Sequence, residues 1–205
     1  MNNYFKDAYG VLHQQLHDPF IKDYGIEYNR IRDLSHWLSY LRLGYINGAI
    51  PDINKLTTVL DVGFGNGDFL RACQRQFNIC SGYDLIWNHL PENCVKSETM
   101  FDGHYDIITF YDSLEHFESI DFLNRLDCNY IVISVPNCKY PDDDEWFTNW
   151  KHRKPNEHLH HFNKESLTAF VESQGYRVIT HSYIEDVIRQ GKEPQNILTV
   201  VAKKL

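Results

Sequence analysis

The amino-acid sequence predicts an α/β protein, a doubly wound and mostly parallel sheet with helices on both faces, and three stretches carry that reading. The first is Thr57-Thr58-Val59-Leu60, a run of β-formers of the kind a strand buried on both faces needs. It leads into Asp61, Gly63, Gly65 and Gly67, and then into Phe69, Leu70, Cys73 and Phe77 at helical spacing: strand, glycine loop, helix. The second is Ile79-Cys80-Ser81-Gly82-Tyr83-Asp84, a short strand that ends in a carboxylate. In the third, Asp106-Ile107-Ile108-Thr109-Phe110-Tyr111 and Tyr130-Ile131-Val132-Ile133-Ser134-Val135 read as buried strands on either side of a helix through Ile120, Leu123 and Leu126. Strands alternating with helices give parallel pairing with right-handed crossovers.

At 205 residues one domain is expected, large enough to bury a core, and 42% apolar with 14% aromatic residues excludes disorder. Residues 1–50 precede the first sheet strand. Ile31, Leu34, Leu38, Leu41 and Tyr45 predict an amphipathic helix over 28–47, ended by Gly48 and Pro51. Tyr4, Phe5, Tyr9, Phe20 and Tyr24 lie upstream, so this segment is either a helix covering a sheet edge or a lid closing over a ligand. Leu85 to Cys94 reads as a short helix broken at Pro91, and Val95 to Met100 as an abbreviated strand. Residues 137–162 interrupt the alternation with an aromatic-rich insertion. It holds Trp146, Trp150, the basic run Lys151-His152-Arg153-Lys154, and Glu157-His158-Leu159-His160-His161-Phe162, and is expected to be ordered and functional. The basic run is either a solvated loop or a contact for an acidic acceptor. Asn163 caps a helix through Leu167, Phe170 and Val171 that stops near Gly175. Tyr176 to Ser182 and Ile197 to Val201 close the chain as two strands without a long crossover, which allows antiparallel pairing.

A formal charge of −8 provides no general field for nucleic acid or an anionic membrane, so a small-molecule partner is expected. Five cysteines without C-x-x-C spacing suggest neither a disulfide framework nor a zinc ribbon. No apolar run approaches a membrane span and no signal core is seen, so a cytoplasmic protein is expected. The oligomeric state is left open.

The glycine loop narrows the ligand. A dinucleotide fingerprint would require glycine at Asp68, and a phosphate loop would require Gly-Lys-Ser/Thr; neither is present. Asp61 instead sets a carboxylate at a strand end, where a pyrophosphate is repelled and a cationic ligand is favoured. Asp84, a little over 20 residues on, occupies the place of an acid that accepts hydrogen bonds from ribose hydroxyls.

D-x-G-x-G-x-G, Gly-Tyr-Asp, Asp-Ser-Leu-Glu-His and His-Leu-His-His-Phe resemble the segments of small class I S-adenosylmethionine (SAM) dependent methyltransferases. That group includes the ubiquinone-biosynthesis O-methyltransferases and methyltransferase-domain proteins of bacteria and their phages. The resemblance spans roughly residues 56–205 and implies a Rossmann-like seven-stranded sheet with an antiparallel last strand. Residues 51–205 would then be the catalytic domain, 1–50 a cap or lid, and 137–162 an insertion over the active site. It implies that Asp61, Gly63, Gly65 and Gly67 surround the methionine part of SAM, that Asp84 and Leu85 bind the ribose end, and that Tyr111 and Asp112 border the sulfonium. The activity implied is methyl transfer to a small molecule or a glycan or lipid precursor, with oxygen the expected acceptor atom.

A hydroxyl acceptor needs a base, and Glu115, His116, His158, His160 and His161 are the candidates. Glu115, His116, His160 and His161 are taken as the catalytic set. Three alternatives stay open. Glu115 caps or braces the helix while His116 hydrogen-bonds in the core; Asp112, Glu115, His116 and His160 are a secondary set for a divalent metal, as in the similar small-RNA 2′-O-methyltransferases, with RNA 2′-O-methylation then the activity; or the chain binds SAM without turnover.

Overall fold

The computed structural model describes residues 3–15, 18, 22–189 and 194–205. Phe20 and the 190–193 part of the predicted final connection lie outside them. Among the described residues ten strands form: β1 (Tyr4–Lys6), β2 (Leu12–Gln14), β3 (Thr58–Val62), β4 (Ile79–Tyr83), β5 (Val95–Lys96), β6 (Tyr105–Tyr111), β7 (Cys128–Pro136), β8 (His160–His161), β9 (Tyr176–Ser182) and β10 (Ile197–Lys204). The helices are α1 (Tyr24–Arg30), α2 (Arg32–Ala49), α3 (Asp68–Cys73), α4 (Asp144–Asn149), α5 (Lys164–Ser173) and α6 (Asp186–Arg189).

Seven strands make the main sheet in the order β5-β4-β3-β6-β7-β10-β9. Pairing is parallel from β5 to β7, while β10 runs antiparallel to both β7 and β9. The chain moves outward from β3 to β4 and β5, then returns to lay β6 on the other side of β3. The turns after β3 and β6 therefore diverge, opening a crevice beyond the carboxyl ends of these strands. Val59, Leu60, Ile107, Ile108, Ile131 and Val132 are fully buried, which is why these strands read as continuous apolar runs.

One face is covered by α2 and α3, with Ile46 and Ile50 packed among Val59, Phe69 and Ile107. The other is covered by α5 and the crossover between β6 and β7, where Leu114, Leu123, Leu167 and Phe170 join Leu60 and Ile108. The cap predicted at Asn163 is present and takes the form of a capping box: its side chain accepts from Ser166 N at 2.8 Å, and Ser166 Oγ accepts from Asn163 N at 3.0 Å.

Three local expectations change. The β6–β7 crossover contains two 3₁₀ turns, Leu114–His116 and Leu123–Arg125, in place of a helix. Ile120, Leu123 and Leu126 are still buried, because a three-residue apolar spacing serves tight turns as well as an α-helix. The predicted 28–47 helix is split at Ile31 into α1 and α2, and α2 continues through Gly48. Residues 85–94 form turns rather than a helix.

The N-terminal hairpin and the insertion meet in a second, three-stranded sheet, β1-β2-β8, in which Leu12 and His13 pair with His161 and His160. Leu12, Cys138, Phe147 and Trp150 form a small core beneath it. The five cysteines are free, and no helix among the described residues is long and apolar enough to cross a membrane.

Candidate active site

A cavity of about 510 Å³ lies at the crevice, within the size range of small-molecule and cofactor sites. Its floor is Val62 at the end of β3 with Gly63 and Gly65 after it; Asp84, Leu85 and Ile86 follow β4; Tyr111 ends β6, and Asp112 and Ser113 follow it. Tyr24 and Tyr28 of α1, His116, Phe117 and Asn156 complete the wall.

The glycine loop is compact because of what packs against it. Gly63 has φ +79°, and a Cβ there would lie 2.6 Å from the Ser113 Cβ. Asn66, 5% exposed, braces the loop: its Nδ2 donates to Ser35 Oγ on α2 at 3.1 Å and to Asp68 at 2.8 Å. Asp84 lines the cavity and accepts from Gly65 N at 3.0 Å and Ile86 N at 3.1 Å, which leaves lone pairs for a ligand. Burial raises its pKa, with those N–H bonds opposing. Asp61 stands behind the wall, 3% exposed, accepting from Thr109 Oγ1 at 2.6 Å, and burial lifts its pKa to about 6. Gly67 likewise does not line the cavity; it lets the loop pass Pro91 and the His89 carbonyl. Leu85 is 68% exposed at the mouth, an apolar face that a ligand could cover.

Asp112 lines the cavity, and its carboxylate is engaged by cations of the protein itself. It turns with φ +52°, and its Oδ2 accepts from Arg42 at 3.0 Å, from Arg189, and from Tyr28 Oη at 3.4 Å. Glu185, 0% exposed, accepts from the same two arginines and from Ser134 Oγ. Two cations and two anions thus cancel beneath the cavity. Burial alone would raise both acids, but the arginines outweigh it and hold both carboxyls below their ordinary values. Arg42 also lies 4.2 Å from the centre of the Tyr111 ring. Arg42, Glu185 and Arg189 carry no sequence motif; Arg42 comes from α2, Arg189 from α6 and Glu185 from the residue just before α6, and α2 and α6 meet only in the folded chain.

His116 reaches the cavity and is flanked by the rings of Tyr24 at 5.5 Å and His158 at 4.6 Å. Burial lowers its pKa to about 4, so its imidazole is neutral at physiological pH. Glu115 is 1% exposed with neither carboxylate oxygen partnered, and burial, reinforced by Asp112, pushes its pKa well up. Glu157 accepts from Tyr24 Oη and from Lys154 Nζ at 2.6 Å, tying α1 to the insertion; Leu159 N donates to the Glu115 carbonyl at 2.8 Å.

The two remaining histidines of the expected catalytic set do not line the cavity. Pairing of β8 with β2 places His160 against His13 Nδ1 at 2.8 Å and the Phe117 carbonyl at 2.7 Å. His161 is packed among Tyr4, Phe147 and Trp150. The expected metal set is regrouped in the same way. Asp112 is engaged by arginines and His160 is held elsewhere, whereas Glu115, His116 and His158 bring ligand atoms within 4.8 Å of one another.

This strand order, with its glycine turn and strand-end acid facing one crevice, is the fold of SAM-dependent methyltransferases. A putative SAM-dependent methyltransferase from Listeria monocytogenes superposes with TM-score 0.56 at 15% identity over 81% of this chain and 99% of that one. Magnesium protoporphyrin IX methyltransferase from Synechocystis, solved with bound S-adenosylhomocysteine, gives 0.58 at 12% over 92% and 90%. 1,6-Didemethyltoxoflavin-N1-methyltransferase from Burkholderia thailandensis gives 0.55 at 15% over 98% and 97%. A family model described as a methyltransferase domain matches residues 26–181, and the chain belongs to that family. Comparison with curated proteins finds no match.

Proposed function

We propose that the protein is a SAM-dependent methyltransferase that methylates an oxygen of a small-molecule, glycan-precursor or lipid-precursor acceptor. The observation that carries this reading is one cavity running from the Asp84 carboxylate and the glycine loop to the neutral imidazole of His116. SAM, when bound, supplies a methyl group already activated by its sulfonium. The chain has to seat, align and dry the reactants.

Asp84 would hold the ribose hydroxyls, Leu85 and Ile86 the adenine side, and Gly63 and Gly65 the methionine end. Asp61 and Gly67 shape the loop from behind. The charge of Asp112 is cancelled by Arg42 and Arg189, so Tyr111 and Asp112 form a polar but electrically balanced wall. Tyr24 and Tyr28, fastened to Glu157 and Asp112, act as the lid that excludes water. His116 accepts the acceptor's hydroxyl proton, whose acidity rises as the new bond to oxygen forms. Calorimetric SAM binding followed by an acceptor panel read by a one-methyl mass gain tests the reading; absence of saturable SAM binding refutes it.

A second reading has its own observation. Both Glu115 oxygens and His158 Nδ1 are buried without partners, and together with His116 they fit a divalent cation. Glu115, His116 and His158 would hold the ion, which would lower the pKa of the acceptor hydroxyl enough for its proton to pass to water. Two imidazoles and one carboxylate suit manganese or zinc better than magnesium. Manganese calorimetry, with activity measured before and after chelation, separates the two readings.

A further inference from the structure

A second cavity of about 540 Å³ lies between the N-terminal hairpin and the insertion, lined by Asn3, Tyr4, Gln14, Asp18, Arg153, Pro155 and Asn156. Asn156 also lines the first cavity, so the two meet at this residue. It is held there with φ +67° by a reciprocal pair: Gln14 Nε2 donates to Asn156 Oδ1 at 2.7 Å, and Asn156 N donates to Gln14 Oε1 at 2.9 Å.

Two residues on the wall of the second cavity carry buried polar atoms without a partner at hydrogen-bond geometry, Arg153 Nε and Tyr4 Oη. The two are neighbours: burial raises the Tyr4 pKa, and Arg153 opposes that rise. Buried polar groups left without partners are uncommon and call for a ligand or another explanation. Arg153 lies 5.7 Å from the Tyr4 ring centre and 5.6 Å from that of Phe147, so two aromatic rings fix its guanidinium. No carboxylate among the described residues pairs with it, in a chain whose acids outnumber its lysines and arginines 28 to 20. Its neighbour Lys154 is already bonded to Glu157. Among the described residues of the cavity wall the one acid, Asp18, is exposed. A planar guanidinium beside a phenol hydroxyl is suited to an oxyanion, a carboxylate or a phosphate, bound by charge-assisted hydrogen bonds.

We infer that Arg153 and Tyr4 form an anion subsite of the acceptor pocket, and that the acceptor carries a carboxylate or phosphate which rests there while its hydroxyl reaches past Asn156 to His116. This rests on the proposed methyl transfer for the identity of the acceptor, whereas the anion site itself does not. It gives the Lys151-His152-Arg153-Lys154 run one specific working residue, in place of a diffuse basic patch.

The test begins with the side-chain Nε–H resonance of Arg153, assigned with Arg153→Met, while inorganic phosphate and, separately, acetate are titrated. A saturable shift is expected, preserved in Lys151→Met and weakened in Tyr4→Phe, which keeps the ring packing. Para-hydroxyphenylacetate and its primary amide are then compared. The acid should move the resonances of Arg153, Asn156 and His116 together, and the amide should bind about tenfold or more weakly, a difference that Arg153→Met abolishes. SAM calorimetry on the same variants should be unchanged. If neither anion shifts Arg153 saturably, the subsite is refuted. If the anions bind but the hydroxy acid never perturbs His116, the site is isolated and its assignment to the acceptor falls. Failure of SAM binding alone would overturn the methyltransferase reading while leaving the Arg153 result standing.

Discussion

Replacing Glu185 by glutamine removes one negative charge from the balanced group beneath the cavity and changes almost nothing in volume. Glu185 is 0% exposed, and Arg42 and Arg189 approach its oxygens at 2.9 Å and 2.7 Å. After the change, two largely buried guanidinium groups face only Asp112. Breaking a buried ion pair from one side costs about 3–5 kcal/mol, because a charge is left uncompensated. The amide still accepts hydrogen bonds, so about 3 kcal/mol is the expected figure. For a chain of this size that lowers the thermal midpoint by on the order of 10 °C. The assay is guanidinium unfolding at neutral pH followed by fluorescence and by far-ultraviolet circular dichroism. A second variant, Glu185→Gln with Arg42→Met, restores charge balance around Asp112 and Arg189 and should cost less than the sum of the single changes. The pH dependence has a definite sign. Both carboxyls are held below their unfolded values, so their contribution is present above about pH 4 and is lost as the pH falls through and below that range. Glu185→Gln should flatten that loss. A cost under about 1 kcal/mol, or strict additivity in the double variant, would refute the argument that charge balance holds this region together.

Four further outcomes follow from the same geometry. Asp84→Ala should weaken SAM binding by roughly 10- to 100-fold in calorimetry, the worth of charged hydrogen bonds to the ribose, and cost about 1–3 kcal/mol of stability because Gly65 N and Ile86 N lose their acceptor. Gly63→Ala should lose both stability and SAM binding, since a Cβ at φ +79° meets the Ser113 Cβ at 2.6 Å; a well-folded, fully binding variant would count against the packing. His116→Asn should leave SAM affinity intact and lower kcat by about 10²- to 10⁴-fold if His116 is the base. Because that base must be neutral and its pKa lies at about 4, the wild-type rate should be flat between about pH 6 and 8 and fall only toward acid, so an inflection near the ordinary histidine value would oppose the assignment. Glu115→Gln separates the two readings of its cluster. Under proton transfer by His116 it keeps activity and becomes more stable relative to the wild type as pH rises above the ordinary carboxylate range, because the wild type, whose Glu115 pKa is raised in the fold, loses stability there and the glutamine does not. Under metal binding it abolishes manganese uptake and turnover together.

The sequence by itself determined the sheet and its ligand-bearing edge. Continuous β-branched runs can be stable only as strands covered on both sides, and glycines at alternating positions behind an acid leave few backbones other than a strand-to-helix turn. Those are local properties, readable from neighbours in the chain, so β3, β4, β6 and β7 and the positions of Gly63, Gly65 and Asp84 were legible. What the tertiary structure alone decided is which polar side chains remain available. Asp112 could be counted as a ligand only until Arg42 and Arg189, 70 and 77 residues away, were brought against it. Among the clustered histidines, pairing of β8 with a hairpin from the opposite end of the chain turned His160 toward His13 and buried His161 in aromatics, while His158 came to lie beside Glu115 and His116. The physical reason is that burial and charge compensation depend on contacts between distant segments, and no spacing rule within one segment encodes which counter-ion will reach a given carboxylate.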